Sequence, residues 1–264
     1  MRFAAAIALA LSLSPAHAEG DKDFYTFAKP GGQTLQAAPA RVDPVQLYVE
    51  ANVTETLYHE LAHALIDLLD LPIYGPEEFA ADTFAVVLMN RLHDDVTVQR
   101  MAGDVARNYW LFAEGAGKHR DDLSLWDVHG PDLQRYYNFA CLMYGVDTDM
   151  RADLVDLFDL PEARARTCDE EYALAETSWN AVLDGLVTDA PGQTIRLDWV
   201  MNEDDHLTRF VRSEVARLNA EMVLPETLNI SVIPCGEANA FYDPGLLEIQ
   251  ICTEFGEELA NMAR

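Results

Sequence analysis

Two histidines in the segment His59-Glu60-Leu61-Ala62-His63 are four residues apart, and a glutamate follows the first. On a helix, residues at this spacing project from one face, so both imidazoles can reach a single ion. Imidazole nitrogen is a good zinc ligand, and Glu60 stands where such sites place the carboxylate that takes a proton from the attacking water. The spacing therefore predicts His59 and His63 as ligands of Zn²⁺ and Glu60 as a general base.

A catalytic zinc usually has three protein ligands, and an acidic pair downstream offers the third. Glu78 and Asp82 are again four apart, and the Pro-bounded segment 72–76 would let a second helix fold back on the first. We expect Glu78 to bind the metal and Asp82 to accept a hydrogen bond from a ligand imidazole. Glu77 is the alternative ligand, less favoured because Ala81 stands four positions on. Alternatively, both glutamates only stabilise a helix N-terminus.

Helical periodicity dominates the chain around and beyond these residues. It predicts helices over about 44–71, 76–92, 96–115, 131–145, 151–158 and 169–187. After Pro191 apolar residues alternate in 194–201 and 228–235, as in half-buried strands, with a helix over about 205–222 between them. Residues 239–252 are typical of a hairpin and 254–262 of a short helix. The pattern predicts one α+β domain, mostly helical with a small C-terminal sheet.

The first residues have the pattern of a cleavable export signal. Arg2 precedes the apolar run 3–13, and Ala16-His17-Ala18 matches a signal-peptidase site, so we expect residues 1–18 to be removed. No later segment approaches the roughly 20 apolar residues of a membrane helix. We therefore expect a periplasmic or secreted protein without membrane insertion. Residues 19–42 are predicted to form an extended arm, followed by a single domain over 43–264.

Composition restricts the class of protein and of partner. Hydrophobic residues make up 50% of the 264, which is enough for a large core and argues against disorder. The formal net charge of −27 argues against nucleic acid as a partner, because such a surface repels phosphate backbones.

Four cysteines in an exported chain predict two disulfides. Cys235 and Cys252 are equidistant from the Asp243-Pro244 turn, so a hairpin centred there would place them opposite each other. Cys141 and Cys168 would then pair by elimination. Neither pair has the Cys-x-x-Cys spacing of a zinc or redox site.

Several segments together resemble known proteins. "HELAH" followed by "EEFAAD" is similar to the zincin metallopeptidases whose third ligand is the glutamate of a Glu-x-x-x-Asp motif, the gluzincin type. With "VHGPDLQRYYNFACLMYG", "CDEEYALAETSW" and "CGEANAFYDPGLLEIQICTEF", the chain resembles a bacterial family of metallopeptidase-like proteins catalogued as a domain of unknown function. The resemblance covers most of the mature chain and implies a zincin-like fold, a zinc site and a peptide or protein substrate.

Peptide hydrolysis also needs a group that stabilises the oxyanion. The segment 126–139 offers four polar or amphipathic side chains among apolar ones: His129, Arg135, Tyr136 and Tyr137. His129 is the first choice, mainly through the family resemblance, and a surface histidine is the alternative. Arg135 could instead pair with Asp127 or Asp132.

Asn239-Ala240-Phe241 resembles a segment that, in similar zinc peptidases, belongs to the sheet edge above the active-site helix. Here the segment follows the His-Glu-x-x-His helix instead of preceding it, which predicts a permuted order of elements. The C-terminal hairpin and tail helix would then pack beside the active-site helix. Such an edge, including Asn239, could bind an extended peptide, whereas the alternative is a purely structural hairpin.

Together these features predict an exported zinc metallopeptidase. The first alternative is a non-catalytic binding or assembly protein that keeps a zincin fold. The second is a zinc hydrolase of a non-peptide amide. An intact Glu60 beside two histidines favours catalysis, since a structural metal has no use for an unligated carboxylate.

Overall fold

The computed structural model describes residues 43–115 and 125–264, which form a series of helices followed by a small sheet. The predicted signal sequence (1–18) and arm (19–42) lie outside the described residues. The helices are α1 (Pro44–Leu68), α2 (Glu77–Leu92), α3 (Asp95–Gly115), α4 (Asp132–Gly145), α5 (Asp153–Leu157), α6 (Glu162–Ala165), α7 (Cys168–Leu183), α8 (His206–Glu221) and α9 (Thr253–Met262). The strands are β1 (Ile195–Val200), β2 (Leu228–Ile233), β3 (Ala240–Asp243) and β4 (Glu248–Cys252). The predicted α+β class is confirmed.

Local chemistry explains where α1 begins and ends. Asp43 caps its N-terminus by accepting a hydrogen bond from the backbone N–H of Val45 at 3.0 Å, and Pro44 occupies the first turn. The helix ends at Leu68 rather than 71, because Asp70 adopts a positive φ of 49°. None of the helices in the described residues is both long and apolar enough to cross a membrane.

α1 is the central helix, because it contacts elements from both parts of the chain. It packs on α2 and α3 and also on β3, β4 and α9. Leu57, Leu61 and Leu65 are fully buried along it. As predicted, the C-terminal hairpin and the tail helix pack beside the helix that carries the two histidines.

The four strands lie in the order β1-β2-β4-β3. β1, β2 and β4 are parallel, with α8 connecting β1 to β2. β3 turns back antiparallel on β4 as the predicted hairpin and lies at the sheet edge. One side of β3 is therefore without a strand partner from the described part of the chain.

Both expected disulfides are formed, with Cα–Cα distances of 5.1 Å for Cys141–Cys168 and 5.3 Å for Cys235–Cys252. The geometric reason given for the second pair was wrong. Cys235 does not lie on the hairpin strand opposite Cys252; it follows the end of β2, whose Ile233 pairs with Cys252 in parallel register. The bond therefore joins the ends of two parallel strands. Two disulfides indicate an oxidising compartment.

Candidate metal centre

His59 and His63 project from the same face of α1, as their spacing predicts. Their Nε2 atoms are 3.2 Å apart, and their side chains are only 7% and 15% exposed. Glu60 is also buried, and all three residues line one cleft. The helix therefore presents two imidazoles and a carboxylate to the same space.

The turn between α1 and α2 brings Glu78 to these imidazoles. Its Oε2 atom lies 3.2 Å from Nε2 of His59 and 3.4 Å from Nε2 of His63. Glu78 is in the first turn of α2, where the helix dipole favours a negative charge. The three predicted ligands thus come together from two neighbouring helices.

The spacing of these donors can be compared with the spacing that a metal requires. Two atoms at about 2.0–2.1 Å from a tetrahedral Zn²⁺ are about 3.3–3.4 Å from each other. The three distances among His59, His63 and Glu78 are 3.2, 3.2 and 3.4 Å. The donor types and their spacing therefore fit a divalent metal, with nitrogen and oxygen ligands.

Each of the two predicted ligand imidazoles has a carboxylate on its other nitrogen. Asp82 Oδ1 lies 2.8 Å from Nδ1 of His59, which is the contact expected for Asp82. Glu77 Oε1 lies 2.7 Å from Nδ1 of His63, so the alternative ligand orients an imidazole instead. Such partners fix the tautomer and raise the basicity of a metal-binding histidine.

Asp82 is held in turn by a buried network. Arg135 donates two hydrogen bonds to it, at 2.9 and 2.6 Å, and a third to the hydroxyl of Tyr109 at 3.3 Å. Tyr109 donates to the buried Glu55 at 2.6 Å. Arg135 pairs with neither Asp127 nor Asp132 in this arrangement, because α4 directs it toward α2.

Protonation equilibria in the centre are strongly perturbed. Burial alone would lower the pKa of His59, but its hydrogen bonds to Asp82 and Glu78 outweigh burial and raise the pKa to about 10. Burial also opposes the low pKa of Asp82, which hydrogen bonds from His59 and Arg135 bring to about 2. Burial raises the pKa of Glu60.

The cleft in front of the centre has a volume of about 780 Å³ and is bounded by the sheet edge. Asn239 C=O accepts from the N–H of Cys252, so residues 239, 241 and 243 bond to β4. The backbone groups of Ala240 and Tyr242 therefore point away from β4. Tyr242 and Glu60 line the same cleft, and against the larger effect of burial the backbone of Tyr242 lowers the pKa of Glu60, so this edge lies beside the predicted base.

Of the five predicted oxyanion and substrate residues, Asn239, His129 and Arg135 line the cleft, and Tyr136 and Tyr137 do not. Asn239 lines the cleft and uses its Oδ1 to accept from Ala240 N–H. His129 also lines it, with its Nε2 3.1 Å from Glu78 Oε2. Tyr136 was wrongly expected there: it is 1% exposed and donates to the carbonyl of Phe158 within the core. Tyr137 packs beside Tyr136, away from the residues that line the cleft.

Sequence reasoning missed the roles of Glu77 and Asp127 as acceptors from Nδ1 of His63 and of His129. Asp127 Oδ1 accepts from Nδ1 of His129 at 3.1 Å. The sequence does place Asp127 two residues before His129, but this spacing is too common to predict a contact between the two side chains. The contact between Glu77 and His63 depends on the conformation of the turn between two helices, which no spacing rule describes.

Comparison with known proteins agrees with this geometry. The model of the family DUF4344, described as "Putative metallopeptidase", matches residues 31–183 and 193–264. No curated protein and no solved structure matches the chain. The matched ranges include α1, α2, the loop of His129 and the edge strand β3, which carry residues of the cleft and of the candidate metal centre. The chain belongs to this metallopeptidase family of unknown substrate.

Proposed function

We propose that the chain is an exported zinc-dependent metallopeptidase. The observation that carries this proposal is the meeting of His59, His63 and Glu78 beside Glu60 in an open cleft. Family membership supports a metallopeptidase activity, and the two disulfides support an oxidising compartment such as the periplasm or the exterior.

In this proposal His59, His63 and Glu78 hold the metal. When bound, Zn²⁺ would lower the pKa of a coordinated water towards about 7 and polarise the scissile carbonyl. Asp82, fixed by the two hydrogen bonds from Arg135, keeps the imidazole of His59 in the tautomer that presents Nε2 to the metal.

Glu60 is the general base in this proposal. It accepts the proton of the attacking water and then delivers it to the leaving amine. Its carboxylate lines the cleft, and burial raises its pKa, which favours uptake of a proton. Glu60 lies next to a ligand in sequence but, unlike Glu78, has no short contact with the imidazole Nε2 atoms among the described hydrogen bonds.

The substrate we propose is an extended peptide bound along β3. The outward carbonyls of Ala240 and Tyr242 can accept hydrogen bonds from a peptide backbone in the way that a strand adds to a sheet edge, whereas the N–H of Ala240 already donates to Asn239 Oδ1. Asn239 lies at the start of this edge and lines the same cleft. His129 is the side chain we propose for stabilising the oxyanion, since it is the nearest imidazole on the loop that borders the cleft.

A non-catalytic metal-binding protein is the second candidate, because one observation favours it. His129 brings a further nitrogen to the centre, and sites closed by four protein ligands are typical of structural zinc. The unligated carboxylate of Glu60 and the open cleft favour the hydrolase.

The replacement Glu60→Gln tests the proposal. The variant should bind one metal per chain like the parent protein but lose peptide cleavage by at least a factor of 100, because no other described carboxylate occupies that place. Metal content by elemental analysis and digestion of a peptide library provide the two readouts. Glu221→Gln, at the exposed end of α8, is the matched control and should cleave normally. Equal cleavage by Glu60→Gln, or no cleavage of any peptide by the metal-loaded parent, would contradict the proposal.

A further inference from the structure

We propose that His129 is a fourth and displaceable ligand of the metal, so that the resting centre is closed by three imidazoles and one carboxylate. The inference rests on the metal site of the proposed function, and it concerns how that site is opened. It assigns His129 a position that neither its sequence context nor a role in stabilising the oxyanion would require.

The position of the imidazole is the first support. Nε2 of His129 lies 3.1 Å from Oε2 of Glu78, close to the 3.2 and 3.4 Å that separate this oxygen from His59 and His63. His59, Glu78 and His129 each offer a ligand atom within 4.8 Å of the other two. Three imidazoles therefore converge through the same nitrogen on one carboxylate oxygen.

The other nitrogen of the ring provides the second support. Nδ1 of His129 lies 3.1 Å from Asp127, as Nδ1 of His59 lies 2.8 Å from Asp82 and Nδ1 of His63 lies 2.7 Å from Glu77. A carboxylate on Nδ1 with Nε2 free for the metal is the usual arrangement of a ligand histidine. A carboxylate on Nδ1 would equally support an imidazole that donates to the oxyanion, so it is the position of Nε2 beside the other ligand nitrogens that carries the inference.

The elements that carry the three histidines explain why this one can leave. His59 and His63 are on the buried α1, with side chains 7% and 15% exposed, whereas His129 is on a loop and is 45% exposed. Its orienting acid is only two residues away on the same loop, and Asp127 also accepts from the backbone N–H of His129. Asp127 would therefore move together with His129 and keep both hydrogen bonds, and the contact of Gly130 with Phe79 of α2 is what withdrawal of the loop would have to break.

Displacement would reconcile the two candidate functions. With His129 bound, four protein ligands leave no position for water, as in a structural site. Once the loop withdraws, three ligands remain, which is the number usual for a catalytic zinc. The freed imidazole would then border the substrate, where it could donate to the oxyanion.

Metal affinity of the full-length exported chain provides the first test. His129→Ala should weaken Zn²⁺ binding at least tenfold in competition with a chromophoric chelator. His206→Ala removes an imidazole at the start of α8, outside the cleft, and should leave the affinity unchanged. Thermal unfolding of the metal-free proteins checks that both variants fold. Unchanged affinity in a folded His129→Ala protein would overturn the inference.

X-ray absorption at the zinc edge counts the imidazole ligands directly. The parent protein should show three and His129→Ala two. Addition of a peptide hydroxamate, which takes two positions on zinc, should reduce the count in the parent from three to two. Two imidazoles in the resting parent would overturn the fourth ligand, and three in the inhibitor complex would overturn its displacement.

The same samples separate this inference from the proposed function. If three imidazoles are counted but neither the parent nor His129→Ala cleaves peptides, the fourth ligand holds and the peptidase fails. If two are counted in a parent whose cleavage depends on Glu60, the peptidase holds and the fourth ligand fails. In that second case, His129→Ala should lower kcat with unchanged metal affinity, as expected of an oxyanion donor.

Discussion

The imidazoles of α1 depend on carboxylates that do not themselves face the proposed metal. Asp82 and Glu77 each accept from an Nδ1 atom, at 2.8 and 2.7 Å. Arg135 donates two hydrogen bonds to Asp82. The side chain of Glu77 is half exposed, and Glu77 contacts His63 from the first residue of α2. The two acids thus do the same task with different support.

We predict that Asp82→Asn weakens Zn²⁺ affinity about 10–100-fold and that Glu77→Gln weakens it less. An amide cannot hold the imidazole as strongly as a carboxylate, and the buried Asp82 also leaves Arg135 without its partner. Competition with a chelator measures both effects. Glu221→Gln, which removes one charge at the exposed end of α8, provides the control and should keep the parent affinity. A greater loss in Glu77→Gln than in Asp82→Asn would contradict the ranking.

The residues that the sequence predicts at this scale are those related by helical spacing. His59 and His63 are four residues apart, as are Glu78 and Asp82. This spacing alone places the two members of each pair on the same face of a helix. Glu77 was considered only as a competing ligand, because its contact crosses a turn of unknown conformation. Tyr136 was misplaced since its neighbour Arg135 faces the site, and adjacent residues of a helix point in different directions.

At the scale of elements, the Cys235–Cys252 disulfide joins the segment between β2 and the edge strand β3 to the end of β4. The bond closes a loop with a sequence separation of 17 residues. Loop-closure entropy for this length corresponds to about 3 kcal/mol of stability.

We predict that the double variant Cys235→Ser/Cys252→Ser loses about 3 kcal/mol of unfolding free energy. It should also cleave peptides more slowly, because the hairpin that follows Cys235 carries Asn239 and the outward groups of β3. Urea unfolding and peptide cleavage measure the two effects. Removal of the Cys141–Cys168 bond, which joins α4 to α7, should give a similar loss of stability with less effect on cleavage. Parent-like cleavage in the first variant would contradict the role of the bond at the edge.

Asp104 on α3 leads to a prediction of how the stability of the fold depends on pH. Asp104 is largely buried, and burial raises its pKa to about 6 although Arg100 lies 3.2 Å away. The folded state therefore binds this proton more tightly than the unfolded chain, whose aspartates titrate near 3.9. Stability is lost as pH rises from about 4 through 6, by at most about 3 kcal/mol.

Asp104→Asn should accordingly raise the unfolding free energy at pH 7 by about 1–3 kcal/mol and change it little at pH 4. Urea unfolding of parent and variant at the two pH values measures the difference. Asp198→Asn, on the exposed side of β1, makes the same replacement without burial and should show no such dependence. Destabilisation by Asp104→Asn at pH 7 would mean that the pair with Arg100 outweighs the cost of burial.

The elements themselves were largely predictable, whereas the order of the strands was not. Alternating apolar residues predict 194–201 and 228–235 as strands, and a short turn predicts the hairpin, since both signals are local. The parallel pairing of β2 with β4 depends on contacts between segments separated by the hairpin. That pairing, and not the hairpin, brings Cys235 to Cys252. The unpredicted α6 is a four-residue helix, too short to show a period.

At the scale of the whole molecule, the chain has a formal net charge of −27, and acidic side chains line one side of the cleft. Asp67, Asp70 and Glu77 line it near the end of α1 and the start of α2. The field of the molecule and the cleft therefore have the same sign. Such a field attracts cationic substrates and repels anionic ones before any contact is made.

We therefore predict that, between two fluorogenic peptides that differ only in flanking Lys or Glu residues, the Lys peptide has the higher kcat/KM, by about tenfold at low salt. The ratio should fall towards one as ionic strength approaches 0.5 M, since the Debye length shrinks from about 30 Å at 0.01 M to a few ångströms. Initial rates across a salt series with a non-chelating salt measure it. If the Lys peptide is still preferred at high salt, the preference comes from direct contacts with the acids of the cleft and not from the long-range electrostatic field. Replacing Asp70 with Asn would then reduce the preference. Faster cleavage of the Glu peptide at low salt would contradict electrostatic steering, because the net charge and the acids that line the cleft both favour the Lys peptide.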